Sequence, residues 1–315
     1  MKVAFLHEHP TWSDRLIAAL IDDGIDLLPL NIAELAFDTS DLQPPYDLLI
    51  NRVNIMPHAS RHPSVAFHSL HFLGWLQSTP VRVLNGYRAH AIGASKAMQN
   101  GLFARLGLKH PRAIAIHRPE DALSAAEAIG FPLIVKPNLG GSGSGIVRYD
   151  DMETLQRDVL LRAIDLGIDR SGIVQQYIES DGFVYRVEIL GDELFYSIRQ
   201  PVVSGEFNYC AADGCAAVVP DGDDFDFCAA EGSRGIELHQ PSEILVRQVI
   251  SLMRAADADI GGVEYFLDRD SGEACFYDFN PYSNFVAGGE DLLGFSPERR
   301  FVDFIRQQME TLDHV

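Results

Sequence analysis

Three groups of residues in this 315-residue chain have the types and spacing of reactive or ligand-binding side chains. The first is Glu264, in Gly262-Val-Glu-Tyr-Phe, with Asp278 and Asn280, in Tyr277-Asp-Phe-Asn-Pro. A spacing of two along an extended segment sets Asp278 and Asn280 on one face, and a neighbouring antiparallel strand would bring Glu264 beside them. Two carboxylates and an amide oxygen make a hard, oxygen-only set, suited to a cation that keeps waters and binds phosphates. The other reading is a solvated acidic sheet face, against which the apolar neighbours argue. The second group is Lys136, inside the apolar run Phe131-Pro-Leu-Ile-Val-Lys-Pro, and the glycine-rich segment 138–145 that follows it. Unencumbered backbone N–H groups of such a loop can meet phosphate oxygens, and a lysine in an apolar strand is costly to bury unless an anion meets it. Taken alone, the loop also reads as a flexible hairpin. No Gly-Lys-Ser/Thr follows it, so it is not a Walker A loop. The third group is Arg186 and Arg199, whose planar, permanently charged forks suit phosphate and carboxylate; singly, each reads equally as a surface ion pair.

The elements that must position these groups follow from apolar periodicity. Strands are expected at 2–6, 25–30, 46–51 and 81–85, with helices at 13–23, 64–78 and 89–106. Strand, helix, strand, then further strands begin an α/β unit with parallel pairing. Beyond it the pattern is α+β: helices at 119–130, 151–166, 241–256 and 297–311, and strands at 131–137, 146–149, 173–178, 183–190, 193–199, 262–267 and 274–280. Gly191-Asp192 reads as the tight turn of a hairpin, and 204–235 as an acidic loop.

Composition bounds the partners. The net charge of −20 and pI near 4.8 argue against a nucleic-acid or anionic-membrane partner, both of which need a positive contact face. No apolar run reaches the roughly 18 residues of a membrane span, and the N-terminus lacks a signal-peptide pattern, which points to the cytoplasm. The four cysteines, Cys210, Cys215, Cys228 and Cys275, are then expected to be free thiols, without the CxxC pairing of a zinc site. His58, His62, His68 and His71 have metal-like density, but only His68 and His71 share a helix face, so a capping or substrate-lining role is expected.

In this order the three groups resemble the ATP-grasp superfamily of carboxylate–amine ligases, over nearly the whole chain. The resemblance implies an N-terminal Rossmann-like pre-ATP-grasp domain at 1–88, a small lobe with a Gly-rich flap at 89–178 and a large lobe with a Mg²⁺ site at 179–315. It implies ATP and Mg²⁺ (or Mn²⁺) as cofactors. Lys96, in Ile92-Gly-Ala-Ser-Lys-Ala, and Lys136 look like the two nucleotide-binding lysines, with Gly141, Ser142, Gly143 and Ser144 in the flap. Gln175, Gln176, Tyr177 and Ile178 resemble the hinge that meets adenine, and Glu179 would reach the ribose. Glu264, Asp278 and Asn280 fall at the metal ligands. Arg186 or Arg199 would stabilise an oxyanion, and Asn208, in the loop 207–214, would help hold the transferred phosphoryl and the acceptor. Asn51-Arg52-Val53 and Val83-Leu84-Asn85-Gly86 look most like the ribosomal-protein glutamate ligases and the lysine-biosynthesis carrier-protein ligases. The chain departs from the pattern at Gln176 (usually Glu), Val184 (usually Asp), Asp278 (usually Glu) and the 207–214 loop, which lacks an Arg. Implied partners are one carboxylate and one amine, small molecules or peptides, and a homodimer is within the family's habit. The departures leave open a nucleotide-binding module without ligase activity, or a kinase or ligase with a non-amine acceptor.

Overall fold

The run Val3-Ala-Phe-Leu is wholly buried, as a strand covered on both faces must be. In the computed structural model, which describes residues 1–9, 12–55, 62–202, 207, 235–282, 285–286 and 289–314, it is part of β1 (Val3–His7), which pairs in parallel with β2 (Leu27–Asn31) and β3 (Leu48–Asn51). With β4 (Arg82–Leu84) the sheet order is β2-β1-β3-β4. Helices cover both faces. On one, Leu16 and Leu20 of α1 (Asp14–Asp22) and Phe301, Phe304 and Ile305 of α9 (Pro297–Asp313) pack on Val3 and Phe5. On the other, Phe72, Leu73 and Leu76 of α2 (Val65–Leu76) pack on Ala4 and Leu6. Each large apolar side chain so buried contributes roughly 1.5–3 kcal/mol.

A second sheet, order β5-β8-β6-β7, is antiparallel and comprises β5 (Ala113–Ile116), β6 (Leu133–Pro137), β7 (Val147–Tyr149) and β8 (Gly172–Gln176). Helices α5 (Asp121–Ile129) and α6 (Met152–Leu160) cover it. The third, order β11-β10-β9-β12-β13, is also antiparallel: β9 (Phe183–Leu190), β10 (Glu193–Pro201), β11 (Glu237–Leu238), β12 (Ile260–Leu267) and β13 (Ala274–Asn280). Its core face packs on α7 (Glu243–Ala256), α3 (Tyr87–Gly93) and α4 (Lys96–Arg105). Packing thus does not follow chain order: α9 returns to the first sheet, and α3 and α4 serve the third.

Several elements differ from expectation. The single helix expected over 89–106 is two, broken at Ser95. Ser95 is extended, and its hydroxyl accepts from the Met98 N–H at 3.3 Å, an N-cap that starts a new helix at Lys96. Helix α6 stops at Leu160 rather than 166, and Arg162 then takes the left-handed region (φ 56°). The short strand β5 and helix α8 (Gly289–Leu293) were not expected; four and five residues carry too little periodicity to stand out. No helix among the described residues is long and apolar enough to cross a membrane.

One buried amide joins the first sheet to the third. Asn85 is left-handed (φ 57°) and 1% exposed. Its Oδ1 accepts from the Asp259 and Ile260 N–H groups (2.9 and 3.1 Å), and its Nδ2 donates to the carbonyls of Ile260 (2.7 Å) and Pro281. All four hydrogen-bonding positions of the amide are therefore filled. Asn51 Nδ2 donates to the Asn85 carbonyl at 2.9 Å and lies 3.3 Å from His90 Nδ1. His90 is fully buried, which drives its imidazole down from 6.5 to about 3. Between those values the unfolded chain binds the extra proton, so stability is lost as pH falls below about 6.5, at up to about 1.4 kcal/mol per pH unit. Urea denaturation of His90→Gln between pH 6.5 and 4 should give a flatter stability profile than the parent chain.

Candidate active site

The site lies on the face of the third sheet opposite its helices. Register brings the residues together in two rows. Arg186, Glu264 and Asp278 are direct neighbours across β9, β12 and β13, and so are Glu188, Gly262 and Asn280 one pleat along. Arg186 Nε donates to Glu188 Oε1 at 2.5 Å, and its NH1 lies 3.6 Å from Glu264 Oε1. A bulge between Glu264 and Tyr265 in the β12–β13 ladder leaves Tyr277 as an extra residue beside Asp278. The Tyr277 hydroxyl donates to Glu264 Oε2 at 2.6 Å. Burial raises the Glu264 carboxyl above its usual range; Arg186 pulls it back and Asp278 pushes it further up. Burial also works against the charge on Arg186, but Glu188 and Glu264 outweigh it and hold the guanidinium firmly protonated.

Two lysines enter from other elements. Lys96, the first residue of α4, forms an ion pair with Asp278. Its position is fixed by Asn138, at the start of the glycine-rich loop. The Asn138 carbonyl accepts from the Lys96 N–H at 3.1 Å, and Asn138 Oδ1 accepts from the Ala97 N–H and the Ser95 hydroxyl at 2.9 and 3.1 Å. Lys136 reaches in from β6. It is 6% exposed, and among the described residues no side chain or carbonyl accepts a hydrogen bond from its Nζ. Burial, with Lys96 adding to it against the pull of Asp278, lowers its ammonium to about 7. The loop backbone turns through left-handed Ser142, Gly143 and Gly145 (φ 50°, 73° and 72°). An open cleft, about 1070 Å³ with the solvent at its mouth included, is lined by Lys96, Lys136, the loop, Arg186 and the acidic set.

The structure therefore brings together Lys96, Lys136, Gly141, Ser142, Gly143, Ser144, Arg186, Glu264, Asp278 and Asn280. Arg199 is a correction. It is opposite Tyr185 in the β9–β10 ladder, hence on the other face of the sheet from Arg186, where it bonds Glu237 at 2.7 Å and lies over the Phe183 ring. The hinge residues lie at the end of β8, outside the cleft lining. Gln175 is buried, Gln176 is exposed, and Tyr177 lies under the Arg148 guanidinium at 4.2 Å. The Gln176 and Tyr177 N–H groups are taken by the Arg112 and Pro132 carbonyls (2.8 and 3.0 Å), whereas Ile178 N–H has no backbone acceptor among the described residues. Exposed Glu179 pairs with Arg269. Asn208, His58, Cys210, Cys215 and Cys228 lie outside the described residues; Cys275 is free and buried. His68 Nε2 meets the Leu35 carbonyl at 2.9 Å, and His62 and His71 are exposed. Among the described residues no three His, Cys, Asp or Glu side chains gather to hold a metal. Glu188, Gly262, Tyr277 and Tyr282 were missed, although the spacing Arg186-x-Glu188 and the pair Gly261-Gly262 signal the first two.

A Cβ on Gly262 would stand 2.5 Å from Glu188 Oε1 and 2.9 Å from Arg186 Nε. Glu188 is 1% exposed and has nowhere to move. Gly262→Ala should cost about 1–3 kcal/mol in chemical denaturation. An anion set against Lys136 would raise its lowered pKa again, so triphosphate binding at pH 8 should take up as much as about one proton, with affinity falling as pH rises above about 7. Calorimetry in buffers of different ionisation enthalpy should register that uptake, and its loss in Lys136→Met.

Residues 93–220 match the RimK-like ATP-grasp domain. The D-alanine–D-alanine ligase of Chromohalobacter salexigens is 32% identical over 125 residues, 40% of this chain and 38% of that protein. The chain spans less than two-fifths of the length of the curated relatives it matches. Among solved structures, a RimK domain ATP-grasp protein from Sphaerobacter thermophilus superposes with a TM-score of 0.65 at 16% identity, covering 96% of both chains. The ATP-grasp ligase PsnB, in complex with a variant of its minimal precursor, Mg and ADP, superposes with 0.65 at 16% identity, over 96% of this chain and 98% of that one. Residues 93–220 thus match a RimK-like ATP-grasp domain, and the chain as a whole has the fold of ATP-grasp proteins of known structure.

Proposed function

We propose that the chain is an ADP-forming ligase that joins a carboxylate to an amine, small molecule or peptide, through an acyl phosphate. The observation that carries this reading is the convergence of Lys96, Lys136, Glu264, Asp278 and Asn280 in one cleft beneath the glycine-rich loop. On this reading the chain divides into the units 1–88, 89–178 and 179–315, and the third sheet and the loop face one another across the nucleotide.

Two carboxylates and an amide oxygen fit Mg²⁺, which takes its remaining ligands from phosphates and water. Bound there, Mg²⁺ would neutralise the phosphate charge. Lys96 and Lys136 place two cations on the triphosphate. Lys136 is the better suited to meet it first, because its buried ammonium has no acceptor among the described residues. The glycine-rich loop lays its N–H groups over the same oxygens and keeps water out. At the end of β8 the Ile178 N–H is available to an adenine ring nitrogen. The substrate carboxylate oxygen attacks the γ-phosphorus and ADP leaves; this step is largely positioning plus charge neutralisation. The amine nitrogen then attacks the acyl carbon, phosphate leaves and the nitrogen loses a proton. Arg186, held charged by Glu188 and Glu264, faces the oxyanion of that step; Arg199, on the far side of the sheet, does not.

Removing a positioned charge from such a site costs about 10²–10³ in rate. Lys136→Ala and Asp278→Ala should both lose ADP formation while keeping the parent far-UV circular dichroism. With ATP, Mg²⁺ and pooled amino acids, phosphate release that depends on an amine supports the ligase. Nucleotide binding without turnover in any mixture would instead identify a binding module.

A further inference from the structure

The residues just after the cation set are gripped from outside their own sheet. Tyr282 lies two positions beyond Asn280, lines the cleft and is 3% exposed. Its backbone N–H donates to Asn280 Oδ1 at 2.9 Å, and its hydroxyl bonds His90 Nδ1. The proton direction in that last bond follows from the surrounding network. The Ser69 hydroxyl donates to the Ala66 carbonyl at 3.0 Å, so toward His90 Nε2, 2.8 Å away, it is an acceptor. Nε2 therefore carries the hydrogen, and Nδ1 offers its lone pair to the Tyr282 O–H and to Asn51 Nδ2. The ring itself is buried beyond reach of water.

The intervening Pro281 is held as closely. Its carbonyl accepts from Asn85 Nδ2. A Cβ on Gly93, the last residue of α3, would stand 2.6 Å from its Cγ, and one on Gly261 would stand 2.9 Å from the Asn280 carbonyl oxygen. Except for Gly261, every group in this grip comes from residues 51–93, whereas Glu264 is held by Arg186 and Tyr277 of its own sheet and Asp278 by Lys96 of α4. Asn280 is consequently oriented in a way its two partners are not. The Tyr282 N–H fixes which end of the amide is oxygen and takes one lone pair of Oδ1. The second lone pair is directed by the same turn.

We propose that the His90–Tyr282 pair is a positioning clamp that aims the Asn280 amide oxygen at the cation, so that metal use by the third sheet is set by residues 51–93, on β3, α2 and α3. This rests on the ligase reading of the cleft only as far as nucleotide–metal binding there. His90 and Tyr282 act through Asn280 and not on the reacting atoms.

The test uses the full chain and separates metal from nucleotide. ATP affinity is measured by calorimetry without divalent cation, and the Mg²⁺ concentration for half-maximal tightening of ATP binding is measured alongside it. Losing a partner that orients a metal ligand costs about tenfold or more in metal affinity. Tyr282→Phe, which deletes only the hydroxyl, should raise the Mg²⁺ half-saturation about tenfold and leave metal-free ATP affinity within about twofold. Asn280→Ala should show the same signature, and the double variant should be no worse than Asn280→Ala, because the two act on one ligand. An unchanged Mg²⁺ half-saturation, additive losses, or an equal loss of metal-free affinity would overturn the clamp. Should Tyr282→Phe not fold, Ser69→Ala, which removes the acceptor of the His90 Nε2–H, carries the same expectation with a smaller shift. A parent chain that binds no nucleotide overturns the ligase reading and the clamp with it. Binding that is intact in the parent and indifferent to Tyr282 overturns the clamp alone.

Discussion

A row of buried and half-buried charge runs across the third sheet, and the rest of the molecule is arranged so that it can exist. Glu188, Arg186, Glu264, Asp278 and Lys96 alternate or adjoin along β9, β12, β13 and the start of α4, each within an ion pair or hydrogen bond of a neighbour. Removing such groups from water costs several kcal/mol apiece, and only close partners with good geometry offset that cost. The pairing here is tight because one position carries no side chain. Gly262 sits between Glu188 and Asn280 in the second row, and the space a methyl group would take is filled by the Arg186–Glu188 contact. Arg52, just beyond β3, extends the row. It is 6% exposed, and burial lowers its guanidinium to about 10 against the pull of Glu188. The first sheet thus contributes a cation at one end, and α4 and β6 contribute two at the other.

A charged row of this kind stabilises little by itself; a well-packed apolar replacement would do as well or better. What it does provide is direction. Its members hold one another along the sheet, so the cleft is presented with acceptor oxygens from Glu264 and Asp278 flanked by donors from Lys96, Lys136 and Arg186. The Ser95 cap and the Asn138 side chain make the spacing of the lysines a property of one small hydrogen-bonded unit, since the residue that opens the glycine-rich loop also holds the first turn of α4. Two segments some forty residues apart in the chain are fixed relative to each other before any long side chain is considered.

Much of this was legible beforehand. Lys136 stood out because a lysine contradicts an apolar strand, and Asp278-x-Asn280 because a spacing of two survives any reasonable strand assignment. Lys96 was reached only through the family resemblance, because the unbroken helix expected over 89–106 hid the Ser95 cap. What could not be read was the junction between sheets. Asn51 and Asn85 stood in segments that carried the resemblance and His90 carried no signal, but what all three do depends on partners far along the chain such as Ile260 and Tyr282.

The two residues whose faces the sequence left most exposed to error were decided by single bulges. The β9–β10 hairpin closes with Leu190 opposite Glu193, and a regular ladder from that turn would set Arg199 against Val184, on the same face as Arg186. The extra residue between Leu194 and Tyr196 moves the pairing by one, so Arg199 meets Tyr185 and points away. A one-residue slip exchanges the faces of everything beyond it. In β12–β13 the same device works in the opposite sense. The ladder on the turn side, with Tyr265 opposite Phe276, would continue to place Glu264 against Tyr277 and turn Asp278 to the core; the bulge sets Asp278 opposite Glu264 instead. Parity counted along a strand is sound for Asp278 relative to Asn280, which lie on the same side of the irregularity. It fails for Arg199 relative to Arg186, because an irregularity lies between them. Nothing in the local composition of Leu194-Phe-Tyr marks it, since Phe195 and Tyr196 are both buried and satisfy an apolar pattern in either register.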